Sequence, residues 1–148
     1  MENNKAILVA TDYDKVDGIN AYKSKIKMLS LESNKLELIT KVWKETDENM
    51  IELFTSLPLH QVLDMTAFIC SGLLYFKEAY GYPKLYDPDN PKVDRIGLQG
   101  SAMTVSVCTD NENIDEEIQE FSQMISNQGE ILGERLRVLA RMLKEMGY

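Results

Sequence analysis

The single histidine of the sequence, His60, is the side chain most able to do acid–base chemistry near neutral pH. Asp64 follows four residues later, so on a helix the two side chains share a face and the carboxylate can orient the imidazole as a general base. Ser56, Cys70 and Ser71 are candidate nucleophiles by position alone, and no GxSxG pattern is present. We expect a local helix-end interaction. A small hydrolase or transferase that uses His60 and Asp64 with loop carboxylates is the alternative.

Three aspartates near the N-terminus are candidate ligands for a hard cation: Asp12, Asp14 and Asp17. An EF-hand needs ligands at its first, third and fifth positions, glycine at the sixth and glutamate at the twelfth. Counted from Asp12, the fifth residue is Val16 and the twelfth is Lys23, so the match fails. We therefore expect turns organised by the aspartate side chains, and neither a metal nor a cofactor. A divalent-cation site of another kind at these aspartates is the alternative.

A proline-rich connection from Gly81 to Gly100 carries the residues best suited to recognition. Tyrosine offers a large contact area at a small entropy cost, and long connections in compact domains are often functional. The expected binding residues are Tyr82, Tyr86, Asp87, Arg95 and Gln99, with Tyr80 beside them. The alternative is that the connection packs over a helix and that its tyrosines close the core.

A long apolar helix from about Leu57 to Tyr80 must position these residues. Its apolar side chains recur at three- and four-residue steps, and Met65, Phe68 and Tyr75 widen the apolar stripe beyond one face. Proline suits the first turn of a helix, and glycine followed by proline suits its end. Those residues are Pro58, Gly81 and Pro83. We expect the helix to be covered on most sides by a sheet, by other helices or by a second copy of the chain.

Short or alternating apolar runs predict strands before and after this helix. The expected strands are Ala6–Ala10, Lys25–Leu31, Lys35–Lys44, Met50–Phe54 and Ser101–Cys108. The segment between the first two strands has a loop-like composition. We expect all five strands to form one small, mostly antiparallel sheet.

Two more helices are predicted after the last strand. Asn113 and Glu116 have the spacing of a capping box that would open the first of them. The second, Glu130–Met146, repeats apolar residues at steps of four, three, four and three, and Gly147 follows as a C-cap. This repeat is too short for a coiled coil, so we expect the apolar side to face the core.

Composition excludes several classes of function. The net charge of −8 argues against a nucleic-acid binder, which needs clustered Lys and Arg, and leaves basic protein partners open. The longest uncharged run of the central helix, Met65–Phe76, is too short to span a bilayer, and the first residues lack the pattern of a signal peptide. We therefore expect a cytoplasmic protein that binds neither nucleic acid nor membrane. Cys70 and Cys108 are expected as buried free thiols.

Three stretches together resemble a family of small bacterial proteins of uncharacterised function. They are SLPLHQVLDMTAFICSGLLYFKEAY, KLYDPDNPKVDRIGLQGSAMTVSVCTDN and the ending GERLRVLARMLKEMGY. The resemblance covers nearly the whole chain and implies a single domain, residues 1–148. It implies no activity and no catalytic residues.

The sequence thus predicts an α+β fold, in which a small, mostly antiparallel sheet packs against a long central helix and two C-terminal helices. The expected function is that of a non-catalytic binding or protein-interaction module. We expect its partner to be another protein, or a second copy in a homodimer, rather than a small molecule.

Overall fold

The computed structural model describes residues 6–18 and 21–148, apart from the side chain of Tyr80. Contacts between Cα atoms divide the chain into an N-terminal unit, Met1–Thr66, and a C-terminal unit, Ala67–Tyr148. Each unit has its own β-sheet. The expectation of a single domain over residues 1–148 stays a prediction.

The N-terminal unit is built on an antiparallel sheet of four strands in the order β1–β2–β3–β4. The strands are β1 (Ala6–Ala10), β2 (Ile26–Ser33), β3 (Leu38–Glu45) and β4 (Ile51–Pro58). The predicted bounds of β1 are confirmed, and β4 lies at an edge of the sheet as expected. It ends four residues later than predicted, because it pairs with β3 as far as Pro58, which lies opposite Ile39.

Two short helices occupy the segment that was predicted as a loop between β1 and β2. They are α1 (Tyr13–Asp17) and α2 (Ala21–Ser24). Asp12 precedes α1 with a φ of 60°, and Gly18 follows it with a φ of 65°. Asp12 is in the left-handed helical conformation, which aspartate adopts more readily than most residues, and Gly18 has a positive φ that glycine adopts without strain, so they can set where the helix begins and ends. Positions 19 and 20 of the predicted loop lie outside the described residues.

The interior of the N-terminal sheet contains one polar pair. The indole N–H of Trp43 on β3 donates a hydrogen bond of 2.9 Å to the hydroxyl of Ser30 on β2, and each of these residues is 4% exposed. Next to them, Lys41 and Glu32 form an ion pair of 2.7 Å whose side chains are mostly shielded from solvent. A buried N–H needs a partner, so Ser30 makes the burial of Trp43 possible.

The predicted central helix is α3 (Leu59–Glu78), a helix of 20 residues. Pro58 is the last residue of β4 rather than part of the first helical turn. At its other end, α3 continues as a 3-10 turn over Ala79–Gly81, and Gly81 does not adopt the expected left-handed conformation. The boundary between the two units falls within α3, after Thr66.

The expected cover over α3 is not provided by a single chain. None of its residues is buried, and five large apolar side chains are at least half exposed. They are Leu63, Met65, Phe68, Ile69 and Leu74. By length and composition, α3 is the one helix among the described residues that could cross a membrane.

The C-terminal unit contains a two-stranded antiparallel sheet, made of β5 (Lys92–Leu98) and β6 (Ser101–Ser106). Two predictions fail here. The connection from Gly81 to Gly100 was expected to be irregular but contains β5, and the strand around Thr104 was assigned to the N-terminal sheet but pairs with β5. The physical reason is the hairpin turn at Gln99 and Gly100, where φ is positive at both residues (53° and 78°), as in the type I′ turns that join two adjacent strands.

Two helices end the chain: α4 (Ile114–Asn127) and α5 (Gly129–Glu145). The predicted capping box is wrong, since the Asn113 side chain makes no capping hydrogen bond. Asn111 makes the side-chain hydrogen bonds before α4 instead. Its Oδ1 accepts from the Asn113 N–H at 3.0 Å, and its side-chain amide donates to the carboxylate of Glu117 at 2.5 Å. At the end of α5, Gly147 has a φ of 97°, which confirms it as a C-cap.

The α+β class is confirmed, since residues 6–18 and 21–148 combine two antiparallel sheets with five α-helices. Alternation of apolar and polar residues identified half-buried strands, and apolar residues at three- and four-residue steps identified α3 and α5. The division of the strands between two sheets depends on chain pairing, which neither pattern encodes.

Candidate functional site

The predicted binding residues begin with tyrosines just after α3. Tyr82 is 42% exposed, whereas Tyr86 is 6% exposed. The side chain of Tyr80 lies outside the described residues. The burial of Tyr86 fits the alternative in which this connection closes the core, while Tyr82 keeps an accessible ring. A binding role for these tyrosines stays a prediction.

Tyr75 on α3 connects these tyrosines to the helix, a role that sequence reasoning missed. Its ring stacks on that of Tyr82, with centroids 6.3 Å apart and planes at 19°. Burial raises the pKa of the Tyr75 hydroxyl above its usual 10.0, the nearby Tyr82 raises it further, and a hydrogen bond with the Asp87 backbone opposes the rise. The hydroxyl therefore stays protonated at neutral pH. The available signal was the position of Tyr75 on the flank of an over-wide apolar stripe.

Asp87 organises the backbone of the connection. Its carboxylate accepts a hydrogen bond of 3.0 Å from the N–H of Asp89, and its carbonyl accepts one of 3.1 Å from the N–H of Asn90. This is an Asx-turn, in which an aspartate side chain replaces a backbone partner. The Asp87 carboxylate thus has a structural role in the turn that leads to β5.

Arg95 and Gln99 lie on the β5–β6 hairpin, and both are exposed. Gln99 forms the turn itself, while the N–H of Arg95 donates to the carboxylate of Asp94 at 2.7 Å. The same carboxylate accepts a hydrogen bond of 2.9 Å from the Ser71 hydroxyl on α3. Within residues 6–18 and 21–148, no hydrogen bond, ion pair or ring contact joins Arg95 or Gln99 to the tyrosines. The structure therefore does not show the five predicted residues as one connected group.

The alternative catalytic pair lies in the first turns of α3. His60 is exposed, and Asp64 is partly shielded. In the described part of the chain, no hydrogen bond or ion pair joins His60 to Asp64, so nothing orients the imidazole as a base. A catalytic role for the pair stays a prediction.

The three N-terminal aspartates have separate partners. Asp12 pairs with Lys15 at 3.6 Å, Asp14 with Lys27 at 2.9 Å, and Asp17 accepts a hydrogen bond of 3.1 Å from a serine hydroxyl. Across residues 6–18 and 21–148, no three His, Cys, Asp or Glu side chains converge as metal ligands. The three side chains thus stabilise the α1 region individually.

A polar cavity of about 440 Å³ lies beside α1 and α2 in the N-terminal unit. Its charged groups neutralise one another: Lys27 contacts both Asp14 and Glu45, and Lys25 contacts Asp47. The hydrogen bond from Lys27 lowers the pKa of the Asp14 carboxyl below its usual 3.8, and the bonds to Asp14 and then Glu45 raise the pKa of Lys27 above its usual 10.5. This cavity therefore has little net charge to attract an ionic ligand.

The C-terminal unit contains an apolar cavity of about 470 Å³, named here the C-terminal groove. Its walls are side chains of α3, of the β5–β6 sheet and of α4. They include Phe68, Leu73, Phe76, Val105, Ile118 and Phe121. The rings of Phe76 and Phe121 meet edge to face, with centroids 5.3 Å apart, so an aromatic contact closes one part of the groove.

Sequence reasoning missed the C-terminal groove because its walls come from four separate elements. Their alternating or helical patterns each indicate a buried face, but not a space between the faces. One signal was available: Gly72, in the interior of α3, is a poor helix former. It lines the groove, and a Cβ atom added to it would meet nothing within 4 Å.

The two cysteines are free but exposed, so the prediction of buried thiols is wrong. Cys70 lies on α3, and Cys108 follows β6 at the wall of the C-terminal groove. Both lie in apolar sequence, which suggested burial. A single chain does not bring another element over either thiol.

Comparison with known proteins places the chain in a family without a described activity. No curated protein and no solved structure matches it. A family model described as a family of unknown function (DUF6530) matches residues 1–148, which confirms the resemblance to an uncharacterised family. The chain belongs to this family of unknown function, DUF6530.

Proposed function

We propose that this chain is a non-catalytic protein-interaction module that works as a homodimer in the cytoplasm. The observation that supports the proposal is the amount of apolar surface that one chain leaves uncovered. Within the described residues, five hydrophobic side chains are buried, while many more large ones are exposed. Since apolar burial is the main favourable term in folding, a chain with this surface gains stability from a partner.

The solvent-accessible surface of the chain measures how much more surface it exposes than compact proteins of the same size. The chain exposes 11666 Å². A compact monomer of this mass exposes about 7,700 Å², and two separate compact chains with the sizes of the two units would together expose about 9,200 Å². The seven residues outside the described ranges add about 1,200 Å² if they are fully extended. Even against two separate compact chains, and after these seven residues are subtracted, the chain exposes more than about 1,000 Å² beyond the expected surface.

That excess has the size of a dimer interface. If each of two chains buried this excess surface against the other, the total buried area would exceed about 2,000 Å², which is the range of permanent homodimers. Such interfaces are apolar, like a domain core cut in half. Exposed apolar residues occur in both units, from Ile7, Leu8 and Val9 on β1 to the length of α5. A second copy supplies matching apolar surface without any further component.

A membrane-spanning role for α3 has less support. Ser71, near the middle of α3, donates a hydrogen bond to the carboxylate of Asp94. In a spanning helix that carboxylate would lie close to the hydrocarbon centre, where a charge costs several kcal/mol. Together with the net charge of −8, this contact favours a water-soluble module that binds neither membrane nor nucleic acid.

The hydrolase or transferase alternative, which uses His60 and Asp64 with loop carboxylates, has less support, since no hydrogen bond or ion pair joins His60 to Asp64 in the described chain and the lining of the C-terminal groove is almost entirely apolar. The only charged side chain in that lining is Glu117, which accepts a hydrogen bond from Asn111. General acid–base catalysis needs a titratable group placed against a reacting atom. The groove is better suited to apolar contact than to catalysis.

The test is the mass of the protein in solution. Light scattering coupled to size exclusion, from low-micromolar to high-micromolar concentration, should give twice 16.9 kDa. The urea midpoint should rise with protein concentration, because mass action stabilises a folded dimer. A mass of 16.9 kDa at every concentration, with a constant midpoint, would contradict the proposal.

A further inference from the structure

The C-terminal helix α5 carries an apolar stripe that its own chain leaves open. The stripe consists of Leu132, Leu136, Leu139, Leu143 and Met146. None of the residues of α5 is buried, and every residue from Glu134 to Tyr148 is exposed. An amphipathic helix of this length is marginal in water without packing along its apolar side. The stripe therefore needs a surface to cover it.

The C-terminal groove is an apolar surface of the same unit with room for side chains. It has a volume of about 470 Å³ and lies between α3, the β5–β6 sheet and α4. Within one chain, α5 does not fill it, since its stripe stays exposed. One residue, Gln128, separates α4 from α5, so the groove and the stripe lie on consecutive helices. Each chain thus presents one unfilled groove and one uncovered stripe.

The segment that leads into α4 is acidic, whereas the middle of α5 carries a run of bases. Residues 109–120, which lead into the groove wall on α4, contain six acids and no base. Residues 135–144 of α5 contain four bases and no acid. Among these residues, Glu117 lines the groove. Glu134 and Glu145 bound this run of bases, and Arg141 pairs with Glu145 at 3.3 Å, so the match between the stripe and the groove rests on apolar cover rather than on charge.

Gly72 adds a steric observation. It lies on the α3 wall of the groove, and the space where its Cβ would project is empty to at least 4 Å. A glycine inside a helix costs stability relative to alanine, so a close approach by another element would account for it. A helix that entered the groove would come nearest to α3 at this residue.

We propose that α5 of a second copy lies in the C-terminal groove, and that the exchange is reciprocal, so that a dimer contains two equivalent α5–groove contacts. This inference rests on the proposed homodimer and specifies its interface. A two-fold axis makes such an exchange possible, because the same two surfaces of both chains are used. It would cover the stripe on α5 and the phenylalanines of the groove in one step.

The first variants separate the two halves of the contact. Gly72→Leu fills the groove, and Leu139→Glu places a charge in the stripe. Each variant alone should shift the mass in light scattering from twice 16.9 kDa to 16.9 kDa. Gly72→Ala is the matched control, since it improves helix propensity and adds only one methyl group, so it should weaken the dimer much less than Gly72→Leu. Far-UV circular dichroism checks that all three variants keep their helices.

Mixing the two disrupted variants is the decisive experiment. The Gly72→Leu chain keeps an intact stripe, and the Leu139→Glu chain keeps an intact groove, so a mixture retains one of the two contacts. We expect the mixture to form a heterodimer at concentrations where each variant alone is monomeric. If α5 paired with α5 instead, Gly72→Leu would stay dimeric and mixing would rescue nothing, which would overturn the inference.

Disulfide trapping gives a second readout that does not depend on loss of binding. In a Cys70→Ser background, Leu139→Cys should form an intermolecular disulfide with Cys108, which lies at the groove wall. The control is Glu134→Cys, on the opposite side of α5, which should not. Equal cross-linking of both variants would contradict docking in the groove.

The outcomes distinguish this inference from the proposed function. A wild-type protein that is monomeric at every concentration overturns both. A wild-type dimer that survives Gly72→Leu and Leu139→Glu supports the homodimer but overturns the α5–groove contact. A wild-type monomer that binds the apolar dye 1-anilinonaphthalene-8-sulfonate, with binding lost in Gly72→Leu, would assign the groove to a small apolar ligand instead.

Discussion

The two units of the chain differ in what stabilises them. The N-terminal unit is held by polar pairs between strands, such as Trp43 with Ser30 and Lys41 with Glu32. The C-terminal unit is held by apolar and aromatic contacts, such as that between Phe76 and Phe121. Polar pairs are directional and specify one register, whereas apolar contacts are non-directional and gain from any further cover.

This difference indicates which unit a partner would stabilise more. A sheet with paired backbone groups and a satisfied buried indole already has its main interactions within one chain. A helix such as α5, amphipathic and without buried residues, does not. We therefore expect the C-terminal unit to depend more on dimerisation than the N-terminal unit. Four substitutions sharpen or break this comparison.

The largest loss of stability is expected from a substitution at Trp43, which is 4% exposed. Trp43→Ala should lower the free energy of unfolding by about 3–5 kcal/mol, because it removes a large buried side chain and leaves a cavity. Urea unfolding followed by far-UV circular dichroism measures the loss. Leu36→Ala is the control at a residue that is 94% exposed, and it should change the free energy by less than about 0.5 kcal/mol. Similar values for the two variants would refute a core at Trp43.

A somewhat smaller effect is expected at Ile118 on α4, which is also 4% exposed. Ile118→Ala should cost about 2–4 kcal/mol in the C-terminal unit. Since Trp43 is the only tryptophan and lies in the N-terminal unit, its fluorescence reports that unit alone. If the units unfold separately, circular dichroism should shift while the Trp43 transition stays. Met124→Ala, at a half-exposed position of the same helix, is the control.

A third prediction concerns the hydroxyl of Ser30. Ser30→Ala should lower the free energy of unfolding by about 1–2 kcal/mol, because it leaves the buried indole N–H of Trp43 without its partner. The urea midpoint from Trp43 fluorescence measures this change. Ser33→Ala, on the exposed end of β2, should leave the midpoint unchanged. A loss at Ser33 equal to that at Ser30 would mean that the hydrogen bond is not the cause.

The smallest effect is a change in pH dependence. The hydrogen bond from Lys27 lowers the pKa of Asp14 in the folded chain, so the pair stabilises the fold above the unfolded pKa and this contribution is lost as pH falls through the lowered folded pKa. Asp14→Asn should therefore be less stable than the wild type at neutral pH, with the difference vanishing in acid. Urea midpoints between neutral pH and acid measure it, and a difference that is constant with pH would contradict the assignment.

Some local features were predictable because they depend on near neighbours. The bounds of β1 and the C-cap at Gly147 were predicted from the sequence, and the structure has both. The capping box failed, although it is also local: the Asn113 side chain makes no capping hydrogen bond, and the Asn113 N–H donates to the side chain of Asn111.

The candidate site was predictable only in its residue types. Tyr82 and Tyr86 were expected to act together, but Tyr86 is buried, while the ring of Tyr82 stacks on Tyr75 of α3. Arg95 and Gln99 were grouped with them under the assumption of an irregular connection. That assumption fails because β5 pairs with β6, which places Arg95 on a strand and Gln99 in the hairpin turn.

The sequence by itself determined the α+β class, the positions of most strands and helices, and the membership of an uncharacterised family, because periodicity and turn residues act over a few positions. Only the tertiary structure decided that the strands divide into two sheets and that a groove opens beside Gly72. It also decided that α3 and α5 stay uncovered within one chain. The physical reason is that a pattern marks a face as apolar, while pairing between distant segments decides what covers it.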